Sequence, residues 1–369
     1  MVDTLDASML KRDSDAAPDS DEDGTNVRGG LSSSLSLRDR LLQIVGKFSG
    51  KRILVVGDMV ADQYIIGTPA RISREAPVLI LTHEHDFTVP GGATNPGVNA
   101  STLGAEVFLA GVVGDDVAGE QLREKLREYG VRLDGLVSEP GRPTSTKTRI
   151  LAGGTQLVQQ QIVRVDRIDD SELSESSKQQ IIDYLRDMIA QVDALIVSDY
   201  ENGVINPAIV EAFLPLAIEQ GKIVTVDSHG DLHRFRGATV LTPNQPEAEG
   251  TLNMRITDRA SLEQAGKALL DQTEAQGVLV TRGSEGMSLF ERGRDPLHIP
   301  ASNLTEVADP TGAGDTVAAA FTLALTTGAA MADAAHLANI AAGLVVRRLG
   351  CATTTPDELR LAIEQLTED

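Results

Sequence analysis

Short, continuous apolar runs recur along the chain at residues 53–56, 107–113, 194–197, 223–226 and 278–280, each bounded by charged or turn-forming residues. A strand that is apolar on both sides is covered on both sides, as in a parallel sheet. Between the runs lie stretches at 117–128, 172–190, 206–219 and 259–271 whose apolar residues repeat at helical spacing. This alternation predicts an α/β fold: a doubly wound, mostly parallel sheet with helices on both faces. The most apolar region, 317–346, is broken by Thr326, Thr327, Gly328, Asp333, His336 and Asn339, so it reads as two buried helices rather than a membrane span. Two places break the alternation. Residues 63–67 with 78–84, and 144–151 with 156–165, alternate polar and apolar with no helix between. They predict a small β lid, from about 63–88 and 144–166, over the carboxyl ends of the main strands, where such folds bind ligands.

Ser36-Leu37-Arg38-Asp39 has the pattern of a helix start. Before it, residues 1–30 carry eight acids against Lys11, Arg12 and Arg28, with little apolar surface to offset the entropy of ordering. Residues 1–35 are therefore expected to be a disordered acidic tail, and 36–369 the folded domain. The formal charge of −21 argues against a nucleic-acid partner, whose phosphates it would repel. It does not bar a nucleotide, because Mg²⁺ and helix ends act locally. The single cysteine, Cys351, precludes an intramolecular disulfide and reads as a small buried residue. With no basic start followed by an apolar core, no signal peptide is expected, and the expected location is cytoplasmic, away from membranes.

The segment Asp309-Pro310-Thr311-Gly312-Ala313-Gly314-Asp315-Thr316, followed at once by an apolar run, carries the clearest chemistry. Glycines let backbone approach a phosphate, the helix that follows aims its unpaired N–H groups there, and Asp315 in the first turn is placed to accept a proton. This pattern points to phosphoryl transfer. No Gly-x-x-x-x-Gly-Lys-Ser/Thr occurs, and Val317 stands where a dinucleotide fingerprint needs its third glycine. Further polar residues fall at carboxyl ends of predicted strands: Asp58, Asp62, Asp199, Asp227, and Asn244 with Glu247. Gly91-Gly92-Ala93-Thr94-Asn95 leads into a helix. Any one of these fits a turn or helix cap, but so many on one sheet edge suit sugar hydroxyls or Mg²⁺. His83 with His85, and His229 with His233, lack the third ligand of a zinc site. No Gly-x-Ser-x-Gly elbow supports a hydrolase.

With its glycine signature Gly91-Gly92-Ala93-x-Asn95 and its closing motif 309–316, the chain resembles the ribokinase/PfkB family of carbohydrate kinases over about 50–360. Within that family it is most similar to the D-glycero-β-D-manno-heptose-7-phosphate kinases. The matching stretches are 55–62, 71–77, 146–149, 160–166, Ser198-Asp199-Tyr200, Thr242-Pro243-Asn244-x-x-Glu247 and Leu349-Gly350. The resemblance implies an ATP- and Mg²⁺-dependent kinase, acting on O1 of a heptose 7-phosphate or on another sugar or nucleoside, with a monovalent cation as a further cofactor. A catalytically silent sugar- or nucleotide-binding protein on the same fold is the alternative from another class. Asp315 would be the base, and Gly312, Ala313 and Gly314 the anion hole. Asp58, Asp62, Gly91, Gly92, Asn95, Lys147, Arg149 and Asp199 would hold the sugar or sugar phosphate. Asn244, Glu247, Thr281, Arg282, Gly283 and Asn339 would hold the nucleotide, with Glu247 serving its Mg²⁺. The lid would form a homodimer contact. Two lysines usual in the heptose kinases are replaced, one in the Glu201-Asn202 pair and one at His229. No His-x-Gly-His follows, so a fused nucleotidyltransferase is not expected.

Overall fold

The computed structural model describes residues 35–154, 157–303 and 307–366. The acidic tail expected over 1–35 therefore lies, except for Leu35, outside the described residues. Residues Ser36–Asp369 pack as one unit. In chain order its elements are α1 (Leu37–Val45), β1 (Arg52–Gly57), β2 (Met59–Ile72), β3 (Leu79–Gly92), α2 (Thr94–Thr102), β4 (Glu106–Gly114), α3 (Val117–Glu128) and β5 (Arg132–Glu139). Next come β6 (Ser145–Gly154), β7 (Leu157–Arg167), α4 (Glu175–Ile189), β8 (Ala194–Asp199), α5 (Pro207–Glu219), β9 (Ile223–Ser228) and β10 (Val240–Leu241). The last are α6 (Gln245–Leu252), α7 (Arg259–Thr273), β11 (Gly277–Thr281), β12 (Met287–Glu291), β13 (Leu297–Ile299), α8 (Ala313–Thr326), α9 (Met331–Val345) and α10 (Pro356–Glu364).

The large sheet runs β13-β12-β11-β10-β9-β8-β1-β4-β5. It is parallel from β11 to β5, and antiparallel only where β12 and β13 are added. Alternate residues of the buried strands serve opposite faces. Ile53 and Val55 pack under α1, α2, α8 and α9, while Leu54 and Val56 pack under α4, α5 and α7. The apolar runs thus feed two cores at once, which is why they show no polar alternation. Ser36 caps α1 by accepting from the Asp39 N–H at 3.1 Å.

The small sheet runs β3-β2-β6-β7, with β2 and β6 parallel and the other pairs antiparallel. Its strands are longer than the alternation predicted. β2 leaves β1 after Asp58 alone, and β3 runs directly into the glycine turn before α2. Residues 59–61 are buried and apolar like β1, so their pattern did not mark them as part of a second sheet. Because β2 begins where β1 ends, the small sheet stands on the carboxyl edge of the large one. The chain order reverses around β1, with β4 on one side and β8 on the other, which is where a crevice opens in such sheets.

Candidate active site

The center of the crevice is Asp315, in the first turn of α8 and 5 % exposed. Asn95 Nδ2 donates to its Oδ2 at 2.7 Å, and the Tyr200 hydroxyl donates to its Oδ1 at 3.2 Å. The Asn95 amide is itself oriented. Its Oδ1 accepts from Asn99 Nδ2 at 3.0 Å, and Thr316 Oγ1 donates to Asn99 Oδ1 at 2.9 Å. This chain leaves the Asn95 NH₂ facing the carboxylate. Burial pushes the Asp315 carboxyl up to about 6; the Asn95 and Tyr200 donors and His229 oppose the rise, and Asp62 adds to it. Such a group is ionised at neutral pH and still basic enough to take a proton. Gly312 caps α8 with φ +79°, and a Cβ there would lie 2.5 Å from Asn95 Nδ2. Only glycine admits both the left-handed turn and the amide that holds the Asp315 carboxylate. The Ala313 N–H donates to the Pro310 carbonyl at 3.2 Å, so the N–H groups of Gly314 and Asp315 are the ones in the first turn of α8 left to cradle anionic oxygen.

A second carboxylate enters from the small sheet. Asp62, on β2, is 3 % exposed and pairs with Arg149 Nη1 of β6 at 3.0 Å. The Arg149 guanidinium also lies 5.4 Å from the center of the Tyr64 ring. The Cys351 thiol donates to Asp62 Oδ2 at 3.2 Å. A Cβ on Gly91 would fall 2.6 Å from Asp62 Cγ, so the glycine is what allows the carboxylate to lie against the β3 turn. Cys351 is therefore more than an apolar filler: it is partly exposed and touches both Asp62 and the Gly312 turn. Lys147, two residues before Arg149 and on the same strand face, stands 4.6 Å over the Tyr200 ring.

Around β9 and β10 the site is again acidic. Asp227 lies across from Gly314, and burial beside Asp315 and Glu247 pushes its carboxyl upward. Asn244 and Glu247 form a capping box at α6: the Asn244 N–H donates to Glu247 Oε2 at 2.8 Å, and the Glu247 N–H to Asn244 Oδ1 at 2.9 Å. His229 Nδ1 lies 2.9 Å from Glu247 Oε1, and the pairing raises its pKa. Cap and ligand roles are compatible, because a carboxylate has more lone pairs than the cap uses. Among the described residues no group of three or more His, Cys, Asp or Glu side chains is arranged to hold a metal ion by itself. Glu247 and Asp227 suit a Mg²⁺ that arrives with phosphate oxygens.

Beyond the α8 cradle lies a cavity of about 300 Å³, walled by Met287, Val317, Ala342 and Val346 and reached by Thr281 and Gly283. Asn339 borders it, but its amide donates to the Pro300 carbonyl at 2.8 Å and so pins the wall. Arg282 turns toward Gln245 and Glu285 instead. The cavity has the mainly apolar lining that suits a nucleobase.

Two expected sugar ligands have other work. Asp58 accepts from the N–H groups of Tyr200, Asn202 and Val204 at 2.8, 3.1 and 3.0 Å, which shapes the loop after β8. Asp199 accepts from Ser228 Oγ at 2.7 Å and pairs with Arg234 at 3.2 Å. Both are 1 % exposed, so carboxylates at strand ends here serve first to satisfy buried donors. Gly91 and Asn95 do converge with Asp62, Asp315 and the Gly312 turn, whereas Gly92 lies against the Asp58 carbonyl and the Val60 side chain. Sequence reasoning gave no role to Tyr200, whose signal is an aromatic residue just past a buried strand end, and it did not carry Cys351 into the site; Asp227 it had named only as one of the strand-end acids suited to sugar hydroxyls or Mg²⁺.

The match to a family model decides the reading of this crevice: residues 51–358 match the model described as pfkB family carbohydrate kinase. The chain belongs to that family. Among curated relatives, the Bifunctional protein HldE of Citrifermentans bemidjiense is 44 % identical over 309 residues, covering 84 % of this chain and 62 % of that protein. The Bifunctional protein HldE of Caulobacter vibrioides is 40 % identical over 324 residues, covering 87 % and 65 %. The chain thus spans about three fifths of the length of the curated relatives it matches. The pfkB fold is shared with the ribokinase of Arabidopsis thaliana, solved with ribose and ATP (TM-score 0.68, 21 % identity, 86 % of this chain and 100 % of that one). It is also shared with phosphofructokinase-2 of Escherichia coli (TM-score 0.69, 17 % identity, 85 % and 98 %). Among the described residues, no helix of this pfkB-family chain is long and apolar enough to cross a membrane.

Proposed function

We propose that this chain transfers the γ-phosphoryl group of ATP to O1 of D-glycero-β-D-manno-heptose 7-phosphate. The observation that carries the reaction type is Asp315: a buried carboxylate, held near pKa 6, at the start of a helix whose N–H groups face the same crevice. The acceptor hydroxyl lies between Asp62 and Asp315, and Asp315 takes its proton as the bond to phosphorus forms. The α8 cradle stabilises charge on the transferring group, and the work is positioning plus electrostatics. The base of the nucleotide occupies the cavity beside Met287 and Val346, and Glu247 with Asp227 serves Mg²⁺, which neutralises phosphate charge when bound. The heptose assignment is supported by the matching stretches and by 44 % identity to a protein named HldE. A homodimer through the small sheet is part of this reading, supported by Val163 and Val165 exposed on β7. A monovalent cation completes the expected cofactors.

A second reading, a pfkB kinase for another sugar, is favoured by one observation: Arg149 is already paired with Asp62, which leaves Lys147 with fewer partners to hold a substrate phosphate. An ATP-consumption assay over sugars and sugar phosphates separates the two. The heptose 7-phosphate is expected to give the highest kcat/KM. A higher value for an unphosphorylated sugar would replace it with the second reading.

A further inference from the structure

The catalytic carboxylate is gripped from outside its own motif. Tyr200 follows β8, and its backbone N–H is fixed on Asp58 at 2.8 Å, so the residue leaves the strand in a set direction. Its hydroxyl meets both oxygens of Asp315, at 3.2 and 3.4 Å. The ring is held on two sides: the His229 ring packs at 4.6 Å between centers, and Lys147 of the small sheet stands 4.6 Å over it. We propose that Tyr200 is a positioning residue for the base, one that fixes which oxygen of Asp315 meets the acceptor and ties that orientation to the seat of Lys147.

The geometry explains why two donors are needed. Asn95 engages Oδ2 alone, which leaves the carboxylate free to turn about its Cβ–Cγ bond. A second donor on Oδ1 removes that freedom, so the base is already aligned when the hydroxyl arrives. A phenol suits the place because its burial, beside Asp315 and Asp227, keeps it protonated and therefore a donor. The charged and titratable groups around the carboxylate are Asp62 from β2, Lys147 from β6, Asp227 and His229 from the β9 end, and Cys351 from the loop after α9. None of them is altered by removing the hydroxyl, so a change of the Asp315 ionisation reports the lost donor.

The inference rests on the kinase assignment and not on the identity of the sugar. The test is Tyr200→Phe, assayed across pH with whichever acceptor the wild type uses best. Loss of a donor to the ionised form should move the acid limb of kcat/KM upward by about half to one pH unit. The turnover number should fall about tenfold or more, while acceptor and ATP KM values stay within about twofold. In an Asp315→Asn background, Tyr200→Phe should cause little further loss, since the two act as a unit. Replacing Tyr200 with a ring-fluorinated tyrosine, a stronger donor of nearly the same shape, should move the limb downward and decides the matter if the phenylalanine variant does not fold. An unmoved limb in an active enzyme, or equal losses with and without Asp315, overturns the positioning role and leaves the kinase assignment standing.

Discussion

Arg149 was expected to hold the substrate, yet its guanidinium is spent on Asp62 at 3.0 Å, with side chains only 10 % and 4 % exposed. Arg149→Met removes the charge and keeps much of the stem. It strands a buried carboxylate next to a second one, Asp315, and loses the contact over Tyr64. Breaking a buried pair from one side costs roughly 3–5 kcal/mol. For a domain of this size that corresponds to a fall in melting temperature of roughly 4–7 °C. Removing both partners, as in Asp62→Asn with Arg149→Met, should recover most of that stability, because no charge is left unpaired. Activity should not return, since Asp62 is the proposed acceptor ligand. Urea titration gives the stabilities, and steady-state kinetics gives the function. Where Arg149→Met is assayed at a temperature at which it stays folded, acceptor KM should rise tenfold or more for phosphorylated and unphosphorylated sugars alike, with ATP little changed. A KM effect confined to the phosphorylated acceptor, or a stability loss under about 1 kcal/mol, would refute the argument and return Arg149 to the phosphate.

Asp315→Asn should lower turnover on the order of 10²–10⁴-fold, with nucleotide binding by calorimetry unchanged. The same substitution should stabilise the protein at neutral pH by roughly 2–3 kcal/mol, because a carboxyl whose folded pKa is raised binds protons more tightly when folded, and stability is lost as pH rises from about 4 to about 6. A thermal-melt series across pH, with wild type and variant parallel at every pH, would contradict this. Wild-type kcat/KM should fall as pH drops through about 6, where the base is neutralised; a profile flat to pH 5 would remove Asp315 as the limiting group. Glu247→Gln, which can still accept from the Asn244 N–H, should raise the Mg²⁺ concentration needed for half-maximal rate and leave acceptor KM unchanged, as a metal titration would show.

The parallel strands were legible because burial on both sides leaves an unbroken apolar run, and α3 and α7 begin where their amphipathic stretches begin. The edges were not. In β5 the pair Asp134-Gly135 interrupts the pattern, and β12 and β13 are too short and too mixed to stand out from a loop. The 309–316 motif led directly to the turn, the helix and the buried Asp315. What composition could not tell was which acids face inward. Asp58 and Asp62 are four residues apart and equally buried, yet one satisfies three backbone donors and the other meets Arg149. That difference depends on the path of residues 200–204 and on the pairing of β2 with β6, contacts set by segments far apart in sequence.

The junction at Asp58 makes the small sheet a lever with its fulcrum at the edge of the large one. Asp62 stands four residues from that fulcrum and Ile72 fourteen, or about 13 Å and about 46 Å of extended chain. A rotation of about 10° would carry the tip about 8 Å and Asp62 only about 2 Å. Asp62 occupies the short arm, so a given rotation changes its distance from Asp315 far less than it moves the tip. The far ends of β2 and β3 occupy the long arm, where a small rotation produces a wide sweep across the mouth of the crevice.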